Sequence, residues 1–169
     1  PKFLTRKVNQ NPVYKQKFLE IYGEDATFEN ITDALVNFEK ALVTPNAKFD
    51  KFIGGDANAL NEDEKHGFEL FKKIGCINCH SGVNLGANLY YELKFDSGEG
   101  GQAGRYKVPS LRNIEKTAPY LYSGEIADLK EAIKFVAKKR INYNLSDEQT
   151  QALYKFLLTL SGEKPEILK

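Results

Sequence analysis

The sequence predicts an all-α fold, and three observations support that prediction. Apolar residues recur at the helical period in four long segments of the chain. Two of these segments begin with a capping-box signal, formed by Asn61 with Glu64 and by Ser146 with Gln149. Of the 169 residues, 41% are hydrophobic and 12% are aromatic, which is enough to build a core between such helices.

Five helices are predicted, over residues 13–22, 28–43, 62–74, 128–139 and from Ser146 onward. Gly23 closes the first helix, because glycine adopts the left-handed conformation of a helix C-terminus without strain. Pro45 ends the second helix, which carries Lys40 near its C-terminus, as the helix dipole favours. The third helix leads directly into the only two cysteines of the chain.

The predicted organisation is an N-terminal helical extension, residues 1–60, that packs on a domain formed by residues 61–169. Residues 97–104 are glycine-rich, and we predict a flexible loop there because no strand-to-helix context supports a phosphate site. The formal net charge of +1 argues against a nucleic-acid partner. No apolar stretch approaches the length that a membrane span requires, so none is predicted.

The chemistry of the chain centres on Cys76-Ile77-Asn78-Cys79-His80, a motif typical of covalent haem attachment. Within one helical turn the two thiols face the same way, and each can add to a haem vinyl group. The imidazole of His80 then reaches the iron. The motif therefore predicts one covalently bound haem, with Cys76 and Cys79 as attachment points and His80 as the proximal ligand.

Two other interpretations of the Cys-x-x-Cys pattern are weaker. A zinc site needs about four nitrogen or sulfur ligands, and beyond these three only His66 remains in the chain. A redox dithiol is typical of a βαβ context, whereas the flanking segments are predicted to be helical. His66 is therefore interpreted as a surface histidine, and the two cysteines leave no thiol for a disulfide.

Further segments match a family pattern over nearly the whole chain. They are Phe38-Glu-Lys-Ala-Leu-Val-Thr-Pro-Asn46, Phe49-Asp50, Leu60-Asn-Glu-Asp-Glu-Lys65, Gly67-Phe-Glu-Leu-Phe71, Gly75-Cys-Ile-Asn-Cys-His-Ser-Gly-Val-Asn-Leu-Gly86, Val108-Pro-Ser-Leu-Arg-Asn113 and Thr117-Ala-Pro-Tyr120. On these residues the chain resembles the C-terminal half of the bacterial dihaem cytochrome c peroxidases, a family that includes MauG-like proteins.

The resemblance implies a cytochrome c-like haem domain that receives electrons from a redox partner protein. In the family these electrons pass on to a second haem in the N-terminal half, where peroxide is reduced. That half and its catalytic acid are not represented in this sequence, so no catalytic residue is assigned. A second haem-bearing chain or domain is therefore an expected partner, and haem attachment of this type implies a periplasmic location.

The sequence departs from the family at the distal side of the haem. The family's electron-transfer haem usually has a distal methionine, but this chain contains none, and the ligand position falls on Val136. Four distal states stay open: a five-coordinate iron, a bound water, ligation by Tyr122 or Tyr143, or ligation by a lysine. The lysine candidates are Lys134, Lys138 and Lys139. Tyr122 is also interpreted as a tyrosine that only packs at the haem edge.

Other residues are expected around the haem. Arg112 is a candidate for a propionate contact or, equally, for a surface ion pair. The carbonyl of Pro109 is expected to accept from a buried donor. Leu70, Phe71, Leu85, Leu89, Leu111 and Phe135 are expected to be core residues that also touch the porphyrin. In the family, carbonyls at the positions of Thr117 and Pro119 hold a calcium ion between the two halves.

Two classes of function follow from the sequence. The single haem and the resemblance to an electron-entry domain favour an electron-transfer cytochrome. The missing distal methionine favours a peroxidase-like haem enzyme or a protein that binds small ligands at an open site. A third interpretation makes the chain one piece of a larger dihaem peroxidase. The cationic side chains Lys130, Lys134, Lys138, Lys139 and Arg140 form either a docking surface for an acidic redox partner or a solvated helix face.

Overall fold

A computed structural model describes residues 2–87, 89–93 and 104–169. The chain forms two compact units: one comprises Pro1–Val43 with Lys164–Lys169, and the other comprises Thr44–Glu163. The domain boundary predicted at residue 60 stays a prediction. Within the second unit Phe49, upstream of residue 60, packs in the core.

The described residues of the first unit form three α-helices. They are α1 (Lys2–Gln10), α2 (Pro12–Tyr22) and α3 (Phe28–Ala41), followed at the C-terminal end of the chain by a 3-10 turn at Glu166–Leu168. Asn11 caps α2, since its side chain accepts from the backbone N–H groups of the first turn, and Gly23 ends it with φ 75°. The helices predicted over 13–22 and 28–43 are confirmed, whereas α1 was missed.

The second unit contains four α-helices and one short hairpin in the described residues. They are α4 (Lys48–Ile53), α5 (Glu62–Lys73), α6 (Leu129–Ile141), α7 (Asp147–Leu158), β1 (Tyr90–Leu93) and β2 (Gly104–Lys107). Both predicted capping boxes are present: Asn61 and Glu64 start α5, and Ser146 and Gln149 start α7. The all-α prediction is confirmed, with this hairpin as a small addition.

The core of the second unit forms where α5 crosses α7. Gly67 permits the close approach, because a Cβ atom at this position would lie 2.1 Å from the carbonyl oxygen of Ala152. Next to this crossing Phe156 is fully buried and packs edge-on against Phe49. Phe71 of α5 also packs against the ring of Phe156, with a centroid distance of 5.1 Å and the two planes tilted by 55°. Aromatic packing therefore holds α4, α5 and α7 together.

The two ends of the second unit lie side by side. The N–H of Glu163 donates to the carbonyl of Pro45 at 2.8 Å. A Cβ atom at Gly162 would lie 2.3 Å from the carbonyl oxygen of Thr44, so only glycine fits at this contact. The first and last residues of the unit are thus joined through the backbone.

The two strands of the hairpin lie on either side of the predicted loop in the sequence, and they share only Gly104 with it. In β1 and β2, which are antiparallel, Tyr91 pairs with Tyr106 and Leu93 pairs with Gly104. The predicted loop over residues 97–104 is wrong at Gly104, which belongs to β2, and its residues 97–103 lie outside the described part of the chain. None of the helices in the described ranges combines the length and the apolar character needed to cross a bilayer.

Candidate functional site

The haem-attachment motif forms a tight turn directly after α5. Gly75 follows the helix with φ 91°, a left-handed conformation that favours glycine, and a 3-10 turn covers Cys76–Asn78. The N–H groups of Cys79 and His80 both donate to the carbonyl of Cys76, at 3.2 and 3.0 Å. Residues three apart in a 3-10 turn are eclipsed, so the thiols of Cys76 and Cys79 lie on the same side of the chain.

Both thiols of the motif are partly buried. Burial raises the pKa of Cys76 to about 11, because the thiolate would lose its hydration. The pKa of Tyr91 is raised by a hydrogen bond between its hydroxyl and Cys79 and by the proximity of that group. The β1 strand therefore places a tyrosine against the second cysteine of the motif, a contact that no feature of the sequence indicated.

The imidazole ring of His80 contacts backbone carbonyls. Its Nδ1 lies 3.2 Å from the carbonyl oxygen of Leu85. Because a carbonyl oxygen only accepts, Nδ1 is the donor in this contact, and in the neutral ring the lone pair then lies on Nε2. Burial lowers the pKa of His80, while hydrogen bonds to the carbonyls of Leu85 and Pro109 act in the opposite direction. Burial thus favours the neutral ring, which is the form that a metal ligand requires.

Two segments close around the carbonyl that accepts from His80. The N–H of Leu111 also donates to the carbonyl of Leu85, at 3.2 Å, so this oxygen accepts two hydrogen bonds. At Gly86, with φ 131°, a Cβ atom would lie 2.1 Å from the carbonyl oxygen of Pro109. The segment after the motif and the segment around Pro109 are therefore in backbone contact, and glycine permits it.

Arg112 also contacts the loop that follows the haem-attachment motif. Its guanidinium forms a two-point ion pair with Asp50, through contacts of 2.7 and 2.8 Å. Its Nε and Nη2 also donate to the carbonyl of Val83, at 2.9 and 2.7 Å. Of the two alternatives raised by the sequence, the ion pair is the one that the structure contains. A propionate contact of Arg112 stays a prediction.

The residues considered for the distal side of the haem differ in burial and in the partners that they contact. Val136 is half-buried on α6. Tyr122 is 64% exposed, and its ring stacks edge-on against Tyr106 at 5.1 Å. The hydroxyl of Tyr143 accepts from Gln149 at 3.1 Å.

The lysine candidates on α6 have partners as well. The Lys134 ammonium pairs with Asp147 at 2.5 Å, and that of Lys138 donates to Asn142 at 3.4 Å. Lys139 also takes part in an interaction. Lys130 lies over the ring of Tyr154 at 5.0 Å. These side chains are all exposed on α6, and their role as a docking surface or as a solvated helix face stays a prediction.

The other predicted pocket residues divide by burial. Phe71, Leu70, Leu85 and Leu111 are buried in the core. Leu89 is exposed. The Leu85 carbonyl contacts His80 and accepts from the N–H of Leu111, and a hydrogen bond to the Pro109 carbonyl acts on the pKa of His80.

Thr117 and Pro119, the positions implied for calcium, lie between the 3-10 turn at Ile114–Lys116 and α6. The Thr117 hydroxyl donates to the carbonyl of Ile114 at 3.1 Å. No group of three or more His, Cys, Asp or Glu side chains suited to a metal ion occurs among the described residues. Because the implied calcium ligands are backbone carbonyls, calcium stays a prediction.

Two family models match the chain. The model of the di-haem cytochrome c peroxidase family matches residues 1–58. The cytochrome c model matches residues 64–161, which is more than half of the chain. The chain therefore belongs to the cytochrome c family, and its fold and motif fit a covalently attached haem c. The donor set supports this fit, because His80 presents a neutral ring nitrogen one residue after the second thiol.

The relatives confirm the resemblance to dihaem peroxidases and MauG-like proteins. Cytochrome c551 peroxidase of Nitrosomonas europaea is 39% identical over 92% of this chain and 51% of that protein. Cytochrome c peroxidase Ccp of Escherichia coli is 37% identical over 92% of this chain and 37% of that protein. Methylamine utilization protein MauG of Methylophilus methylotrophus is 28% identical over 88% of this chain and 52% of that protein.

A solved structure shows the same fold. The crystal structure of a MauG-like protein associated with microbial copper homeostasis matches 96% of this chain and 62% of that chain, with a TM-score of 0.72. Its sequence identity of 22% limits the likeness to the fold. The chain spans about half the length or less of the curated relatives named above.

Proposed function

We propose that this chain is an electron-transfer cytochrome domain, with one haem bound covalently through Cys76 and Cys79 and with His80 as the proximal iron ligand. The observation that carries the proposal is the hydrogen bond from His80 Nδ1 to the Leu85 carbonyl, which leaves Nε2 available within a tight Cys-x-x-Cys-His turn. When bound, the haem supplies a one-electron iron couple. The chain attaches it, orients the ligand and excludes water from the proximal side.

The proposal is tested by producing the protein in a bacterium that matures c-type cytochromes. Intact mass should show one haem for each chain, retained under denaturing conditions. The matched variant with both Cys76→Ser and Cys79→Ser should lack bound haem after denaturation. A wild-type protein that loses its haem on denaturation, or that carries none, contradicts the proposal.

The distal side supports a second candidate, a haem that binds small ligands. The chain contains no methionine. In addition, Tyr122, Tyr143, Lys134 and Lys138 are exposed or engaged elsewhere. Prompt binding of carbon monoxide to the ferrous protein would support an open site. Resistance to carbon monoxide would show an endogenous ligand and favour electron transfer alone. Peroxidase-like activity is a further proposal, tested by peroxide consumption with a reduced cytochrome donor.

We also propose that a second haem-bearing domain, in the same polypeptide or in another, is the partner of this one. The first unit supports this, because among its described residues only Ala26, Asn30, Ile31 and Pro165 are buried. Its exposed large apolar side chains are Phe3, Leu4, Val13, Tyr14, Leu19, Ile21, Phe28, Leu35, Val36, Phe38, Val43, Ile167 and Leu168. Exposed apolar surface of this extent is typical of an interaction surface.

The partner proposal is tested by co-purification from the native source. A partner or chain extension with its own Cys-x-x-Cys-His motif is expected, and recovery of this chain alone as a monomer contradicts it. The implied compartment is the periplasm, because the chain resembles c-type cytochromes that mature outside the cytoplasm. Cell fractionation tests the location, and recovery of the haem-bearing protein from the cytoplasmic fraction contradicts it.

A further inference from the structure

Asp50 and Arg112 form a charge pair that is better enclosed than most ion pairs of the second unit. The side chain of Arg112 is 17% exposed and that of Asp50 is 33% exposed. By comparison, Lys155 and Asp63 form a surface pair whose side chains are 41% and 67% exposed. The two-point geometry orients the guanidinium, since two parallel N–H···O contacts fix its plane.

The oriented guanidinium carries a second set of contacts. The Nη1 and Nη2 atoms of Arg112 contact the carboxylate of Asp50. Its Nε and Nη2 atoms also donate to the carbonyl of Val83. Val83 lies three residues after His80, in the loop that leads to Leu85. Ser110 adds a parallel link, because its hydroxyl donates to the carbonyl of Asn84 at 2.6 Å. Consecutive carbonyls of this loop are thus fixed by side chains of the segment that ends at Arg112.

The loop fixed in this way presents the Leu85 carbonyl to the imidazole. Its distance of 3.2 Å from His80 Nδ1 is at the long end of the hydrogen-bond range, so a small displacement of the loop weakens it markedly. Asp50 itself belongs to α4, whose Phe49 is packed against Phe156 in the core. A continuous series of contacts therefore runs from the core through Asp50, Arg112 and the loop to His80.

We propose that Asp50 and Arg112 are positioning residues for the haem ligand His80, and that they tune the reduction potential by holding the Leu85 carbonyl on Nδ1. This inference rests on the proposed role of His80. When an imidazole binds a metal through one nitrogen, a hydrogen-bond acceptor on its other nitrogen raises the basicity of the ligand. A more basic ligand stabilises Fe(III), so the intact contacts lower the potential, and loosening the loop raises it.

The test uses the haem-bearing protein and three substitutions, Arg112→Gln, Arg112→Lys and Asp50→Asn. For Arg112→Gln we expect the Fe(III)/Fe(II) equilibrium to shift about three- to tenfold toward Fe(II), which corresponds to ~30–60 mV. Arg112→Lys should shift it nearly as far, because an ammonium keeps the charge but cannot bridge Asp50 and Val83 as a planar fork does. Asp50→Asn keeps one acceptor and should give a smaller shift.

Two readouts separate positioning from a purely structural role. The hyperfine-shifted NMR signals of the His80 ring should move in the Arg112 variants. The matched control Asp63→Asn, which removes the surface pair with Lys155, should leave both the potential and these signals unchanged. Thermal unfolding followed by circular dichroism identifies variants that fail to fold. In that event the conservative substitutions Arg112→Lys and Asp50→Asn decide the question.

The proposal is overturned if folded Arg112 variants keep the wild-type potential and imidazole signals. It is also overturned if Arg112→Lys restores both in full, since charge alone would then suffice, or if Asp63→Asn has the same effect as Asp50→Asn. Failure of the proposed ligand role has a different signature. In that case the wild-type protein itself would lack hyperfine-shifted imidazole signals.

Discussion

Gly67 of α5 lies so close to the carbonyl of Ala152 on α7 that a side chain of any size would occupy the same space. A Cβ atom would lie 2.1 Å from the Ala152 oxygen and 2.8 Å from the Cβ of Phe156. Backbone atoms cannot move aside as a flexible side chain can. The two helices that support the haem motif can therefore approach this closely only because glycine carries a hydrogen atom where alanine carries a methyl group.

We accordingly expect Gly67→Ala to destabilise the protein by about 2–3 kcal/mol, the upper part of the range for overpacking a core. Alanine has the higher helix propensity, so a gain of ~1 kcal/mol is expected where no clash exists. Thermal unfolding of the haem-bearing protein measures the effect. Glu69→Ala, at an exposed position of the same helix, is the control and should change stability little. An unchanged or higher melting temperature for Gly67→Ala contradicts the contact.

The capping box of α7 gives a second prediction. The Ser146 hydroxyl accepts from the N–H of Gln149 at 3.1 Å, and the Gln149 side chain accepts from the N–H of Ser146 at 3.0 Å. Ser146→Ala should cost about 1 kcal/mol of stability. Ser146→Asp keeps an acceptor and should retain most of it. Denaturant unfolding measures both changes, and equal losses for alanine and aspartate would show that the cap contributes nothing.

The buried thiol gives a prediction for the protein without haem. A pKa of about 11 for Cys76 leaves about one thiol in a thousand ionised at pH 8. In a Cys79→Ser variant, alkylation of Cys76 should be slow at pH 8 and should accelerate about tenfold for each pH unit up to 11. The same variant in denaturant serves as the control and should react as an ordinary thiol. Equal rates in both conditions contradict the burial.

The raised pKa also has a consequence for stability. The folded protein without haem favours the neutral thiol, so this contribution is fully present below the ordinary cysteine value of 9.0. It is lost as the pH rises from there through about 11. The free energy of unfolding of the same variant should fall over this interval, and the fall should be smaller when Cys76 is also replaced by serine.

Val136 allows a direct test of the distal side. Val136→Met places a thioether at the position where the family resemblance puts the distal ligand. Met/His ligation raises the potential of a cytochrome c haem, so the variant should show a higher reduction potential and weaker carbon monoxide binding. Val136→Leu, similar in bulk but without sulfur, should do neither. If Met and Leu behave alike, Val136 does not lie at the distal position.

Much of this architecture could be predicted from the sequence because its signals are local. The capping box of Asn61 and Glu64, the closing Gly23 and the haem motif are each written within five residues. Other features depend on long-range contacts. Helix α4 is only six residues long and is stabilised by the packing of Phe49 in the core. The β-hairpin depends on a partner strand more than ten residues away in the sequence.

The site shows the same division. The two cysteines and His80 are recognisable by spacing alone. Arg112 was singled out, but its partner could not be deduced, because Asp50 is 62 residues distant in sequence. Tyr91 carried no signal at all, since its relation to Cys79 exists only after the hairpin has formed.

The backbone hydrogen bond between Glu163 and Pro45 places the two ends of the second unit next to each other. A chain whose ends meet can be reopened elsewhere, so residues 44–163 are suited to circular permutation through a short linker. New termini at the turn between α4 and α5 would leave the haem loop intact. The same property would let this unit be inserted into, or exchanged between, longer electron-transfer polypeptides without redesign of its core.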